Sequence, residues 1–139
     1  MKLSTRGRYS TRLMMELALH FGEGPVLLKD ISKVQDISLK YLGKLIIPLK
    51  IAGLIKSTRG SHGGYFLSRS PEKIKLSEVV NAVEGPIAFT ECVDNPDICY
   101  RSKTCAARDV WEKATEQFNK TLGAITIAEM LDRQKAKSE

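Results

Sequence analysis

Between Arg8 and Phe21 the apolar residues Leu13, Met14, Leu17, Ala18 and Phe21 recur at the three-and-four spacing of a helix with one buried face, and Gly22 and Gly24 stop the run. Pro25 leads through Val26-Leu27-Leu28 into a shorter helical stretch, Lys29 to Gln35, with Ile31 and Val34 as its apolar points. After the brief connection Asp36-Ile37, Ser38 is suited to cap a third helix that turns Leu39, Leu42, Leu45, Ile46 and Leu49 inward. Gly53 ends that helix as the residue beyond the cap. Pro48 lies beyond its first two turns, where it removes a backbone hydrogen bond and favours a kink. Two short strand-like runs follow, Leu54 to Thr58 and Tyr65 to Leu67, around the glycine-rich basic connection Arg59-Gly60-Ser61-His62-Gly63-Gly64. Two helices joined by a tight turn and followed at once by a hairpin predict a winged helix-turn-helix, the hairpin being the wing.

Ser70-Pro71 opens a linker, and Leu76 to Val83 predicts a short helix begun by Ser77. From Glu84 to Thr104 the periodicity disappears, in a segment with Gly85, Pro86 and Pro96, several acids and every cysteine of the chain. Such a long irregular stretch in a compact domain is functional or disordered. Cys105 to Leu122 then predicts a long amphipathic helix with Val110, Trp111, Ala114, Phe118 and Leu122 on one stripe, ended by Gly123. Thr126 and Glu129 form a capping-box pattern for a last helix to about Lys135, and the tail from Gln134 to Glu139 is expected to fray. The fold class is therefore mainly α with a small β-hairpin. Its expected parts are a winged helix at 1–70, a short helix and cysteine loop at 71–104, and a dimerisation helix with a C-terminal helix at 105–139. The N-terminal unit has its own core, so the apolar stripe of the long helix needs another partner. A second copy supplies it, giving a homodimer.

A chain of 139 residues with 42% hydrophobic and 27% charged residues is ordinary globular material. No apolar run approaches a membrane span, and the first residues carry no apolar core behind their charges, so a cytoplasmic protein without membrane partners is expected. The net charge of +6 is unevenly spread. Residues 1–70 hold 12 Lys/Arg against 4 Asp/Glu, a net of +8, and residues 71–139 hold 10 against 12, a net of −2. A basic excess confined to the winged-helix half is the footprint of a polyanion partner.

The residues that would meet double-stranded DNA follow from that pattern. Ser38, Lys40, Tyr41 and Lys44 stand in the leading turns of the third helix, away from its apolar stripe. A helix fits the major groove, where lysines meet phosphate or guanine edges and the hydroxyls of Ser38 and Tyr41 meet phosphate or base. In the wing, Arg59 is a planar donor suited to the negative minor groove. Gly60, Gly63 and Gly64 allow close backbone approach, and Ser61 and His62 supply further donors to phosphate.

The three cysteines follow C-x6-C-x5-C, as Cys92, Cys99 and Cys105. An odd, clustered set in a reducing compartment points to metal or redox chemistry rather than a disulfide framework. Thiolates are natural ligands of iron–sulfur clusters, and Glu91, Asp94, Asp97 and Asp109 are near enough in sequence to offer an oxygen. Zinc with three sulfurs, and three free thiols, are the alternatives.

The opening Met1-Lys2-Leu3-Ser4-Thr5-Arg6-Gly7-Arg8-Tyr9, the stretch Ile37-Ser38-Leu39-Lys40-Tyr41-Leu42, the wing Arg59 to Tyr65, and three cysteines before a long helix resemble the IscR-like winged-helix transcriptional regulators of bacteria. The resemblance runs from Met1 to about Leu131. It implies a homodimer built on the long helix, wing and recognition helix reading a palindromic operator, and an iron–sulfur cluster near the dimer interface that tunes promoter choice. Two positions depart from it. Gly43 stands where members often carry a side chain tied to base preference, so the operator does not carry over. Arg108 stands where a histidine can be the fourth ligand, and Arg8 and Arg12 stand where a partner's acid or histidine can serve. The fourth ligand stays open.

The reading is a homodimeric transcriptional repressor whose operator binding responds to a [2Fe–2S] cluster on Cys92, Cys99 and Cys105, serving iron–sulfur or redox and nitrosative-stress homeostasis. The alternative keeps the fold and works through thiols, zinc or a partner protein. An RNA-binding winged helix is a third class, and an enzyme is not expected. The chain has no nucleotide-binding glycine loop and no cysteine–histidine pair close in sequence.

Overall fold

The computed structural model describes residues 2–138. Seven helices and one hairpin follow in order: α1 (Thr5–Leu19), α2 (Leu28–Gln35), α3 (Leu39–Ile51), β1 (Ile55–Thr58), β2 (Gly64–Leu67), α4 (Leu76–Glu84), α5 (Glu91–Asp94), α6 (Ala106–Ala124) and α7 (Ile127–Ser138). Short 3-10 turns precede α4 (Pro71–Lys73) and follow α5 (Pro96–Ile98).

The helix boundaries are set by caps. α1 starts three residues before the expected Arg8 because the Ser4 hydroxyl accepts from the Gly7 N–H at 3.4 Å. It ends at Leu19, so Phe21 stands exposed beyond it. Ser38 caps α3 as the sequence predicts, accepting from the Tyr41 N–H at 3.1 Å. At the other end Gly53 takes φ +76°. There the Gly53 N–H bonds the Lys50 carbonyl at 2.9 Å and the Leu54 N–H bonds the Leu49 carbonyl at 3.0 Å. Those two bonds, with Leu49 and Leu54 both in the core, make a Schellman close. α3 runs through Pro48 to Ile51 without a break. Between α2 and α3, Asp36 supplies the left-handed residue of the turn at φ 53° and ψ 47°, a conformation Asp tolerates better than most side chains.

Several apolar positions turn the other way from the expectation. Val34 and Leu39 are exposed, because the buried stripe of α2 narrows to Ile31 and that of α3 begins at Leu42. α4 is opened by Lys75 rather than Ser77: the Glu78 carboxylate reaches back to accept from the Lys75 N–H at 2.8 Å. The segment after Glu84 is not wholly irregular, since it forms α5 and a 3-10 turn. α6 passes through Gly123 to Ala124. α7 extends helically through Gln134 to Ser138 where fraying was expected, and Glu139 lies outside the described residues. Of its capping-box pattern, the Thr126 hydroxyl accepts from the Glu129 N–H at 3.1 Å, while the Glu129 carboxylate pairs with Arg133.

One core serves the chain. Leu13, Met14 and Leu17 of α1 pack with Ile31, Leu42, Leu49, Leu54 and Leu67, and the same cluster takes in Ile74, Val79 and Val83 around α4 and Ile127 of α7. Two backbone bonds tie the ends together, Leu76 N–H to the Ile125 carbonyl at 2.8 Å and Ile127 N–H to the Ile74 carbonyl at 2.9 Å. The wing is antiparallel, with Ile55 opposite Leu67 and Thr58 opposite Gly64. It gains a third, one-residue strand, because Val26 and Tyr65 exchange backbone bonds at 2.8 and 2.9 Å.

Candidate nucleic-acid interface and cysteine loop

α3 presents its N-terminal turns outward because its buried residues lie on one stripe, leaving Ser38, Lys40 and Lys44 exposed. The five ion pairs among the described residues use none of Lys40, Lys44 and Arg59. Their charge is therefore unneutralised within the chain, the condition for attracting a phosphate backbone. Arg59, Gly60, Ser61 and His62 form the exposed tip of the wing.

Three of the expected DNA-facing residues also have work inside the protein. Tyr41 is half-buried, its ring edge-on to Tyr9 at 5.8 Å and 88°. Gly63 is buried, and a Cβ there would lie 2.5 Å from the Thr58 carbonyl oxygen. Gly64, at φ +149°, would place a Cβ 2.5 Å from the Val26 carbonyl oxygen. Both glycines are thus needed for the tightness of the wing itself.

Behind α3 a polar relay joins α1 to the end of α2. Arg12 Nε donates to the Gln35 side-chain oxygen at 3.0 Å and Arg12 Nη2 donates to the Gln35 carbonyl. Gln35 Nε2 donates to the buried Glu16 carboxylate at 2.8 Å. The Arg12 guanidinium also lies 5.3 Å from the centre of the Tyr9 ring. Sequence reasoning missed this relay, because Gln35, through which it runs, lies 23 residues from Arg12 and 19 from Glu16.

The three cysteines are half-buried and in no disulfide. Cys92 lies in α5, its Sγ 3.1 Å from the Thr90 hydroxyl oxygen; Cys99 follows the 3-10 turn; and Cys105 caps α6, its Sγ accepting from the Arg108 N–H at 3.4 Å. Arg108 ties the loop to the helix. Its Nε donates to the Cys92 carbonyl at 2.9 Å, its Nη1 pairs with Glu112 at 3.0 Å, and its side chain is only 14% exposed. The i,i+4 spacing of Arg108 and Glu112 was legible in the sequence, whereas the reach to Cys92 was not. Among the described residues no three His, Cys, Asp or Glu side chains come together as a metal-binding group. The thiols are the right donors for a soft metal, but in this conformation they do not converge.

α6 covers residues 87–89 with one face. Thr115 accepts from the Phe89 N–H at 3.1 Å, Asn119 donates to the Ile87 carbonyl at 3.2 Å, and Phe118 meets Phe89 edge-on at 5.8 Å. Phe118 is thereby engaged within the chain. The uncovered apolar residues are Val110 and Trp111, 58% and 44% exposed.

A family described as an iron-dependent transcriptional regulator matches residues 3–133. The chain belongs to the Rrf2 family. It is 43% identical over 131 residues to protein rrf2 of Nitratidesulfovibrio vulgaris, an alignment covering 94% of this chain and 87% of that one. It is 38% identical over 134 residues to the HTH-type transcriptional regulator IscR of Xenorhabdus nematophila, covering 96% and 81%. Among solved structures, T. potens IscR matches with a TM-score of 0.82 at 38% identity, over 100% of this chain and 92% of that one. CymR, the global cysteine regulator of B. subtilis, matches with a TM-score of 0.80 at 34% identity, over 96% and 98%. This Rrf2 chain is accordingly a winged-helix, DNA-binding transcriptional regulator and not an enzyme. No helix among the described residues is long and apolar enough to cross a membrane.

Proposed function

We propose that this Rrf2-family chain acts in the cytoplasm as a homodimeric repressor, each protomer setting α3 and its wing on one half of a palindromic duplex. The observation that carries the reading is the exposed, unpaired basic set of Lys40, Lys44 and Arg59 on α3 and the wing. Lys40 and Lys44 meet phosphates or guanine edges, Arg59 enters the minor groove, and Ser38 with Gly60, Ser61 and His62 lines the path between them. Tyr41, Gly63 and Gly64 act from the edge of this surface, by shaping it. The homodimer is supported by α6, which has 19 residues, buries only Thr115 and leaves Val110 and Trp111 uncovered. Palindromic sites mirror such twofold pairing.

Cys92, Cys99 and Cys105 are the residues we assign to a [2Fe–2S] cluster, on the strength of three thiols within one loop and of the family's iron dependence. Bound there, the cluster would supply redox chemistry, its potential set by its ligands, hydrogen bonds to its sulfurs and exposure. The chain's own part would be to present the three thiols, Cys92 on α5, Cys99 at the end of the following 3-10 turn and Cys105 at the head of α6. The rival reading is cluster-free control by thiols, zinc or a partner protein, and the separation of the three thiols favours it.

Two measurements test these readings. On a palindromic duplex selected from random sequence, Arg59→Ala should cost roughly 1–3 kcal/mol, and Lys40→Ala or Lys44→Ala should flatten the salt dependence by about one unit for each phosphate no longer neutralised. Unchanged binding in all three variants refutes the assigned surface. Protein isolated without oxygen should absorb between about 300 and 600 nm and carry about two irons per chain. Colourless protein with one zinc, or metal-free protein that binds DNA responsively, establishes the rival reading.

A further inference from the structure

The outward face of α3 is not uniformly basic. Residues four apart on a helix share a face, so Leu39, Gly43 and Ile47 form one row and Lys40 with Lys44 the row beside it. Leu39 is 50% exposed and Ile47 60% exposed, large apolar side chains turned away from the core. A Cβ placed on Gly43 meets nothing within 4 Å, so the middle of the apolar row is an open notch. Leu39 and Ile47 stand about 12 Å apart along the helix axis, which leaves room between their side chains for about one methyl group. The row uses none of the residues, on α1, in the cysteine loop or on α6, through which the proposed dimer forms.

The composition of α3 narrows what this face can read. In the major groove Arg tells guanine, Asn or Gln adenine, and Asp or Glu cytosine, by hydrogen bonds to the base edge. None of those five residue types occurs in α3. Its outward lysines are point charges, suited to phosphate or to a guanine edge. The Tyr41 ring is already held edge-on to Tyr9. The readout left to the row beside the lysines is apolar contact, and the apolar group of the major groove is the C5 methyl of thymine.

We propose that the notch at Gly43 seats the C5 methyl group of one thymine in each half-site, between Leu39 and Ile47. The assignment rests on α3 lying in the major groove, as proposed above. Lys40 and Lys44 draw the phosphate backbone onto the helix and so hold the base edge against the neighbouring row. A side chain at position 43 would make the helix stand off from that edge, whereas glycine lets the backbone approach. The notch reads a methyl group on a pyrimidine rather than the hydrogen-bonding edge of A·T, so 5-methylcytosine is accepted where cytosine is not.

Selection of duplexes from random sequence should return half-sites with thymine at one fixed position under α3. In that duplex, deoxyuridine at this position in both half-sites removes two methyl groups and nothing else. Burial of a methyl-sized group is worth about fourfold in affinity, so anisotropy should show a loss of about fifteenfold. Replacing the same T·A pairs by C·G should weaken binding, and 5-methylcytosine in place of cytosine should recover about fifteenfold. Gly43→Ala fills the notch and meets no other atom of the protein, so it should raise the melting temperature. On the thymine duplex the same variant should lose about fifteenfold in affinity and no longer distinguish thymine from uracil. Selection without a fixed thymine, uracil tolerated at every position, cytosine methylation without effect, or a uracil penalty undiminished in Gly43→Ala overturns the notch. Weakened binding of Lys40→Ala and Lys44→Ala to the same duplex keeps such a failure distinct from failure of the DNA surface itself.

Discussion

Gly64→Ala isolates what holds the wing in place. The added Cβ would lie 2.5 Å from the Val26 carbonyl oxygen, 2.8 Å from its carbon and 3.1 Å from the Val26 nitrogen, on a residue at φ +149°. These neighbours are backbone and cannot rotate away. The wing therefore either keeps its place with an overpacked contact, at roughly 1–3 kcal/mol, or lifts from Val26. Lifting forfeits the two Val26–Tyr65 backbone bonds of 2.8 and 2.9 Å, at about 1 kcal/mol each. Either route adds about 1 kcal/mol or more for the backbone conformation. The sum is about 3 kcal/mol, a large part of the 5–15 kcal/mol that holds a domain folded. At about 3–4 °C per kcal/mol for a chain of this size, the melting temperature should fall by about 10 °C. Gly60→Ala is the control. Gly60 also has a positive φ, +103°, but an added Cβ meets nothing within 4 Å, so it should cost about 1 kcal/mol and about 4 °C. Duplex binding measured by anisotropy well below both melting temperatures should fall at least tenfold in Gly64→Ala, because Arg59 is carried by the displaced hairpin. Melting of Gly64→Ala within 3 °C of the parent, or equal effects of the two substitutions, would refute the account.

Ser10 is fully buried on α1, and its hydroxyl has no hydrogen-bond partner among the described residues, so Ser10→Ala should raise stability by up to about 1 kcal/mol in a denaturant titration. A loss of stability would mean that the hydroxyl has a partner. Trp111→Asp should leave a folded monomer at micromolar concentration by light scattering, since it charges the uncovered face of α6, while Phe118→Ala should lower the melting temperature by removing the packing against Phe89. An undisturbed dimer in Trp111→Asp would place the interface elsewhere. Arg108→Ala should speed amide exchange across residues 90–95 about tenfold, because the Cys92 carbonyl loses a charged donor and Glu112 its partner. Unchanged exchange would show that α5 is held by other contacts.

The order of elements and the placement of the wing were legible in the chain because they rest on local signals. Ser38 as cap, Gly53 as the left-handed close, and two short runs around a glycine-rich connection act over a few positions, and the structure repeats them, with Gly64 joining the second strand opposite Thr58. The same holds for the exposed lysines of α3, which follow from the stripe of Leu42, Leu45 and Leu49. The Ser4 cap moves the start of α1 from the expected Arg8 to Thr5, whereas α4 starts at Leu76 as expected but is capped at Lys75 by the Glu78 carboxylate rather than by Ser77.

By itself the sequence determined a winged helix-turn-helix with a basic first half, three thiols in an irregular segment, and a long helix behind them, because periodicity, turn chemistry and charge are properties of neighbours along the chain. Only the tertiary structure decided which side chains meet across it. Val26 docks the wing by one pair of backbone bonds, too short to leave a strand pattern. Gln35 joins Arg12 to Glu16, and Arg108 reaches 16 residues back to Cys92. Ile127 completes a core begun at Leu13. Phe118 and Trp111 share one helix stripe in the sequence, yet the packing of residues 87–89 covers the first and leaves the second open. Such contacts depend on how the elements close on one another, and a sequence pattern with a period of two to four residues carries no information about that distance.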